Sequence, residues 1–231
     1  MPEQYIVQAS TFADDIDGII GLIAVLVGFW FIVAEVVFFW LILKFRARDG
    51  QKAEYITGEE AKQKRFITWP HYLVLVCDVF IVVGAIRVWI DVKQHLPSEA
   101  EAQRVRVVSQ QWAWSFVHPG ADGKLDTADD IRTVDDLHVQ VGQKYIYELE
   151  SRDVLHSFSV PAFRLKQDAV PGRVITGWFE PTLTGTFDIQ CAEICGIGHG
   201  LMPGRMVIES PEEHAAWIAS QGTTQLAANP R

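Results

Sequence analysis

The spacing of hydrophobic positions changes character about a third of the way along this chain. Residues 18–43 form a 26-residue apolar run whose one charge is Glu35. Residues 69–90 form a second run of 22 residues, interrupted by His71, Asp78 and Arg87. A membrane-crossing helix needs about 20 apolar residues to cover roughly 30 Å of hydrocarbon, so both runs predict spans. From Glu101 the apolar positions alternate instead. Val105 and Val107 alternate with Arg104 and Arg106, and Leu137, Val139 and Val141 with His138 and Gln140. Segments 145–147, 158–160, 174–179, 186–189 and 206–208 read as further short strands, with turn pairs such as Pro119-Gly120, Pro171-Gly172 and Pro203-Gly204 between several of them. The pattern predicts an antiparallel sandwich or barrel. Ser210, Pro211 and Glu213 then predict one helix after the last strand, opened by a reciprocal cap between Ser210 and Glu213.

The fold class that follows is a membrane-anchored all-β protein. Residues 1–92 form a two-helix transmembrane hairpin with spans 18–43 and 69–90, and residues 93–231 form the β domain. Residues 1–17 carry no Lys or Arg, unlike the basic start of a secretory signal, so the first helix is expected to be retained. The connecting loop, 44–68, holds seven of the chain's 20 basic residues. The positive-inside rule puts that loop in the cytoplasm and the β domain on the extracytoplasmic side. Glu35 and Asp78 are costly in lipid, which points to a larger membrane partner covering them.

Charge and cysteine content narrow the function. The net charge is −9, and residues 91–231 carry 19 Asp and Glu against 12 Lys and Arg. A nucleic-acid partner is disfavoured, since phosphate binding needs clustered basic residues. Three Cys are too few for a disulfide scaffold.

The chemistry concentrates in residues 191–202, which place Cys191, Cys195, His199 and Met202 within twelve positions. Soft thiolate and thioether ligands with imidazole suit copper, and His156 on an earlier strand is placed to add a second imidazole. Two thiolates can bridge two coppers. A Cys191–Cys195 disulfide leaves His199 and Met202 without a role, and zinc held by two Cys and two His leaves Met202 idle. Cys77, inside the second span, reads as a packing residue. Residues 119–130 contain Asp122, Asp126, Asp129 and Asp130, a set of hard ligands resembling a Ca²⁺ loop but lacking EF-hand spacing; an acidic hairpin tip is the alternative.

Taken together, the motifs resemble subunit II of the haem-copper cytochrome c oxidases. The resemblance rests on Gln111-Trp112-Ala113-Trp114-Ser115, Asp153-Val154-Leu155-His156-Ser157, the run Leu165 through Arg173, and the Cys191 to Met202 loop, in that order after a helical hairpin. It implies a cupredoxin-like Greek-key β domain holding a dinuclear copper centre, CuA. Cys191 and Cys195 bridge the coppers, His156 and His199 cap them, and Met202 and the Glu193 carbonyl are weak axial ligands. The Glu193 side chain is implied to help hold Mg²⁺ at the contact with subunit I. Trp112 is implied to receive electrons from cytochrome c, or a cytochrome c domain, and Asp153 to belong to the docking patch. Implied partners are subunit I, other oxidase subunits and the lipid of a bacterial plasma membrane. The stretch Lys62 through His71 lacks the acid many relatives carry before the second helix; the nearest are Glu59 and Glu60. Rival readings are a quinol-oxidase-type subunit without copper, the CuA domain of nitrous oxide reductase, and a membrane-anchored copper carrier or assembly protein. The intact ligand set disfavours the first, the hairpin the second, and the Trp112 motif with the intramembrane acids the third.

Overall fold

A computed structural model describes residues 7–52 and 55–228. The chain divides into two compact units: residues 17–89, and a β unit that takes in the segment before residue 17 together with everything from Ile90 onward.

The helical unit is built from α1 (Ala13–Lys44), of which the first turn belongs to the β unit, and α2 (Ala61–Trp89). The 32 residues of α1 reach about 48 Å at ~1.5 Å per residue, more than the hydrocarbon thickness. Both helices are long and apolar enough to cross a membrane. They approach closely at Gly84, where a Cβ would lie 2.9 Å from Ile19 Cδ1. The Trp30 indole N–H points at Cys77 Sγ, 3.4 Å away, in keeping with a packing role for Cys77. Glu35 is half-buried, whereas Asp78 is exposed on the outside of this pair. Helix α2 starts at Ala61, eight residues before the expected span. Residues 61–68 are mostly polar but good helix formers (Ala, Lys, Gln, Arg), a signal that a search for apolar runs passes over. At the far end α2 continues as a π-helical turn, Ile90–Gln94.

The β unit is a two-layer, cupredoxin-like sandwich. Its strands are β1 (Ala102–Gln110), β2 (Ala113–His118), β3 (Ile131–Val134), β4 (Asp136–Gln140), β5 (Lys144–Ser151), β6 (His156–Val160), β7 (Leu165–Ala169), β8 (Ile175–Phe179), β9 (Gly185–Cys191) and β10 (Gly204–Glu209). One sheet has the order β3-β2-β1-β5-β8 and the other β4-β10-β9-β6-β7. The sheets are mixed rather than antiparallel throughout, because β1 pairs with β5 and β4 with β10 in parallel. Alternation with period two shows which face is buried but is the same for either direction of pairing. On β1, Val105 and Val107 face the core, while Arg106 lies opposite Glu148 on β5 and bonds it at 2.9 Å. The core between the layers is aromatic: Trp114, Phe116, Tyr145 and Tyr147 from one sheet meet Phe158, Ile189 and Met206 from the other, all fully buried.

The N-terminal segment, grouped with the hairpin in the sequence, lies on this sandwich. Ala9 N–H donates to Ala162 O at 2.8 Å, Thr182 N–H donates to Ala9 O at 2.9 Å, and Ser10 Oγ–H donates to Phe163 O at 3.0 Å. These are backbone and hydroxyl contacts that leave no hydrophobic period to read.

Helix α3 (Pro211–Ala228) follows β10. The expected cap is present: Glu213 N–H donates to Ser210 Oγ at 3.3 Å, and Ser210 N–H to Glu213 Oε2 at 2.9 Å. Trp217 stacks on His138 with ring centroids 4.3 Å apart. Both oxygens of Glu209 accept Nδ1–H bonds, from His138 and His214, each at 2.8 Å.

Candidate metal centre

Three segments converge at one end of the sandwich. The start of β6 supplies His156, the end of β9 supplies Cys191, and the loop from there to β10 supplies Glu193, Cys195, His199 and Met202. Cys191 and Cys195 are free thiols with their sulfurs 3.8 Å apart. His156 Nδ1 lies 3.8 Å from Cys191 Sγ, and His199 Nδ1 lies 3.6 Å from Cys195 Sγ. Met202 Sδ is 3.4 Å from Cys195 Sγ, and the Glu193 carbonyl oxygen is 3.2 Å from Cys191 Sγ. Among the described residues, His156, Cys191 and Cys195 form the group of three whose ligand atoms lie within 4.8 Å of one another. His156, Cys195 and Met202 are buried.

The donor set fits copper. Two thiolates, two imidazoles, a thioether and a carbonyl are ranked around a pair of sulfurs, and Met202 sits inside the set rather than idle, as zinc would leave it. Burial, reinforced by the neighbouring Cys191, pushes the Cys195 thiol above its usual range. A bound cation reverses that preference, since it binds the thiolate.

The surrounding residues hold the donors. Asp153 Oδ1 accepts from His156 Nε2 at 2.9 Å, which turns Nδ1 toward Cys191. Asp153 Oδ2 accepts from Gln111 N–H at 2.6 Å, and Oδ1 also accepts from Val154 N–H at 2.7 Å. Partial burial pulls the Asp153 carboxyl upward, but bonds from Gln111, His156 and Val154 outweigh it and hold the group below the usual carboxylate range. Asp153, expected at a docking patch, is exposed and also has both oxygens engaged, one of them by the ring of His156. Trp114, buried on β2, donates from Nε1 to Met202 O at 3.1 Å and lies edge-on to His156. Trp112 is 38% exposed and lies against the 191–202 loop. Gln111 Nε2 donates to Cys195 O at 2.8 Å.

The Glu193 side chain is 40% exposed and 3.8 Å from Lys166 Nζ, and it belongs to no gathered group of three metal ligands among the described residues. The acidic loop 119–130 follows β2. Its carboxylates satisfy their own loop: Asp129 accepts from Thr127 Oγ1 and Asp122 N–H, Asp130 from Asp126 and Thr127 N–H, and Asp122 from Lys124 N–H. Asp126 makes a two-pronged ion pair with Arg106 at 2.9 and 3.0 Å. Among the described residues no three of these acids form a gathered metal-ligand group, and the loop lies as an acidic hairpin tip tied to β1.

Fold and site together define a membrane-anchored cupredoxin-like domain with a thiolate–imidazole–thioether metal pocket. A family model for the periplasmic domain of cytochrome c oxidase subunit II matches residues 103–210. The alternative cytochrome c oxidase subunit 2 of Bradyrhizobium diazoefficiens is 32% identical over 231 residues, covering 90% of this chain and 80% of that protein. The chain belongs to the cytochrome c oxidase subunit 2 family, whose members are part of an oxidoreductase complex, the haem-copper oxidase. Subunit 2 of Cereibacter sphaeroides is 27% identical over 250 residues, with 94% of this chain and 80% of that one covered. The crystal structure of the periplasmic domain of subunit II of cytochrome oxidase from Bradyrhizobium japonicum is 29% identical, covers 56% of this chain and 99% of that one, and superposes with a TM-score of 0.49.

Proposed function

We propose that this chain is the electron-input subunit of a respiratory cytochrome c oxidase. Cys191, Cys195, His156 and His199 would hold a copper pair, the two histidines through Nδ1. Met202 and the Glu193 carbonyl would be weak outer ligands. The copper pair, when bound, supplies a one-electron relay between cytochrome c and the haem-copper subunit that reduces O₂ to water with proton pumping. The observation that carries this reading is the double pairing of each thiol with one imidazole Nδ1, at 3.8 and 3.6 Å, around sulfurs that are not bonded.

Each protein group has a stated task. Neighbouring strands of one sheet, β6 and β9, fix His156 and Cys191, so the donors need little movement when charge changes. Trp114 and Met202 close the inner side against water. Asp153 orients His156. Trp112 presents a partly exposed ring at the rim, where an electron donor can approach. The acidic balance of the β unit would steer a basic cytochrome c and raise its association rate, with strong salt dependence. The basic loop between the helices would lie in the cytoplasm and the β unit outside a bacterial plasma membrane. Glu35 and Asp78 would face subunit I or another membrane subunit. A Mg²⁺ held by the Glu193 side chain would need further ligands from such a partner.

Metal analysis of the full chain purified with copper in detergent tests the reading. Two coppers per chain, lost from a Cys191→Ser, Cys195→Ser double variant, is the expected result. Zinc in its place, or a chain that takes up no copper after reduction, would favour an assembly or copper-free role.

A further inference from the structure

Two glycines of the ligand loop carry no obvious chemistry, yet their surroundings are specific. Gly198 is buried directly beneath Trp112. A Cβ on Gly198 would fall 2.6 Å from Trp112 Cγ and 2.8 Å from Cε3, nearer than real Cβ contacts come. A Cβ on Gly196 would fall 2.9 Å from Gln111 Nε2 and 3.1 Å from Trp112 Cζ2. Trp112 therefore lies flat on a floor without side chains. Gln111 pins the same point from the side through its bond to Cys195 O, and Asp153 pins it from behind through Gln111 N–H.

Backbone conformation does not explain Gly198. Its φ of −90° and ψ of 12° are open to alanine, so a glycine there is required by what lies above it. Gly196 differs: its φ of 123° already favours glycine. Gly200, two residues further along the same loop, has nothing within 4 Å of its Cβ position and marks what an unconstrained glycine looks like. Gly198 also opens the short turn that carries His199, its carbonyl accepting from Leu201 N–H at 2.8 Å. The indole thus rests one residue from a metal ligand.

We propose that Gly196 and Gly198, with Gln111, form a seat that sets the approach of Trp112 to the Cys195–His199 side of the centre, making Gly198 a positioning residue for electron input. The inference rests on the reading of Trp112 as the input residue. Because the ring is partly exposed, a methyl group at Gly198 displaces it outward without unfolding the loop.

The test uses the full chain labelled with fluorotryptophan, and the assembled oxidase. In fluorine NMR of the chain without copper, the resonance assigned by Trp112→Phe moves in Gly198→Ala and stays put in Gly200→Ala. In stopped-flow mixing with reduced cytochrome c, Gly198→Ala slows electron input several-fold, while the absorption and EPR spectra of its copper centre match the unaltered protein. Gly200→Ala leaves both unchanged. In a Trp112→Ala background, Gly198→Ala has no further effect. If Gly198→Ala takes up no copper, Gln111→Leu decides: it removes the bond to Cys195 O and is expected to slow input with an unaltered spectrum. Wild-type input in Gly198→Ala, or equal slowing with Trp112 absent, would overturn the seat while leaving Trp112 in its role. Wild-type input in Trp112→Ala would overturn both.

Discussion

Residues 191–202 and residues 119–130 are both loops dense in metal-binding side chains, and the fold treats them in opposite ways. In the first, sulfurs, an imidazole nitrogen and a carbonyl oxygen, joined by His156 from β6, face one another at 3.2–3.8 Å. In the second, the carboxylates are engaged by loop N–H groups, by Thr127 and by Arg106. Residue type nominates a metal site; the direction of the unused lone pairs decides it. The histidines of α3 and the strands against it make the same point. His138 and His214 donate to one carboxylate, Glu209, and His118 contacts Thr133, so one ring nitrogen of each is engaged by protein.

The comparison breaks most visibly if a donor in the first loop can be lost without consequence. Cys195→Ser removes one of the two sulfurs proposed to hold copper and is expected to abolish cytochrome c oxidation by the assembled oxidase, read by absorbance at saturating donor. Asp153→Ala leaves the ligands in place but frees the His156 ring, so copper affinity should fall by ~10–100-fold, the usual cost of losing such a partner. Competition with a copper chelator measures it, and unchanged affinity would show that Asp153 does not hold the His156 ring for the metal.

The histidine cluster sharpens the contrast through pH. Burial, with repulsion from His138 and His214, drives the His118 pKa down to about 3. An unfolded histidine titrates near 6.5, so between these values the unfolded chain binds the extra proton. Stability is therefore intact above pH ~6.5 and declines as pH falls toward 3, by about 1.4 kcal/mol per pH unit from this group. Denaturant titrations of the full chain in detergent at stepped pH should show a shallower decline in His118→Gln.

The smallest expected effect belongs to the acidic loop. Millimolar Ca²⁺ should leave the melting temperature unchanged, and Asp129→Asn should not alter that result. A Ca²⁺-dependent rise that disappears in Asp129→Asn would show that the loop can be rebuilt into a cation site.

Much of this molecule was legible in its sequence, for reasons that differ by region. The two long helices were visible because their apolar runs are long, and the candidate ligand loop because its cysteines, histidine and methionine lie close together along the chain. His156 was found through that loop, from a distant strand. The helix cap was legible because Ser210 and Glu213 act locally. The seat of Trp112 was not, since Gln111 meets Cys195 across 84 residues and a glycine carries no trace of what it must avoid. The parallel pairing of β1 with β5 was hidden because alternation is blind to strand direction. Asp153 was assigned to a docking patch by family resemblance; its additional bond to His156 was not legible, because it depends on how the chain turns before β6.

The central claim is that Cys191, Cys195, His156, His199 and Met202 form a site for two equivalent coppers. EPR of the full chain loaded with copper and half reduced tests it most directly. The account predicts a purple species whose hyperfine pattern comes from two equivalent copper nuclei sharing one unpaired electron. A pattern from a single copper would contradict it, and so would a silent, colourless chain with Cys191 and Cys195 joined as a disulfide that takes up no copper after reduction.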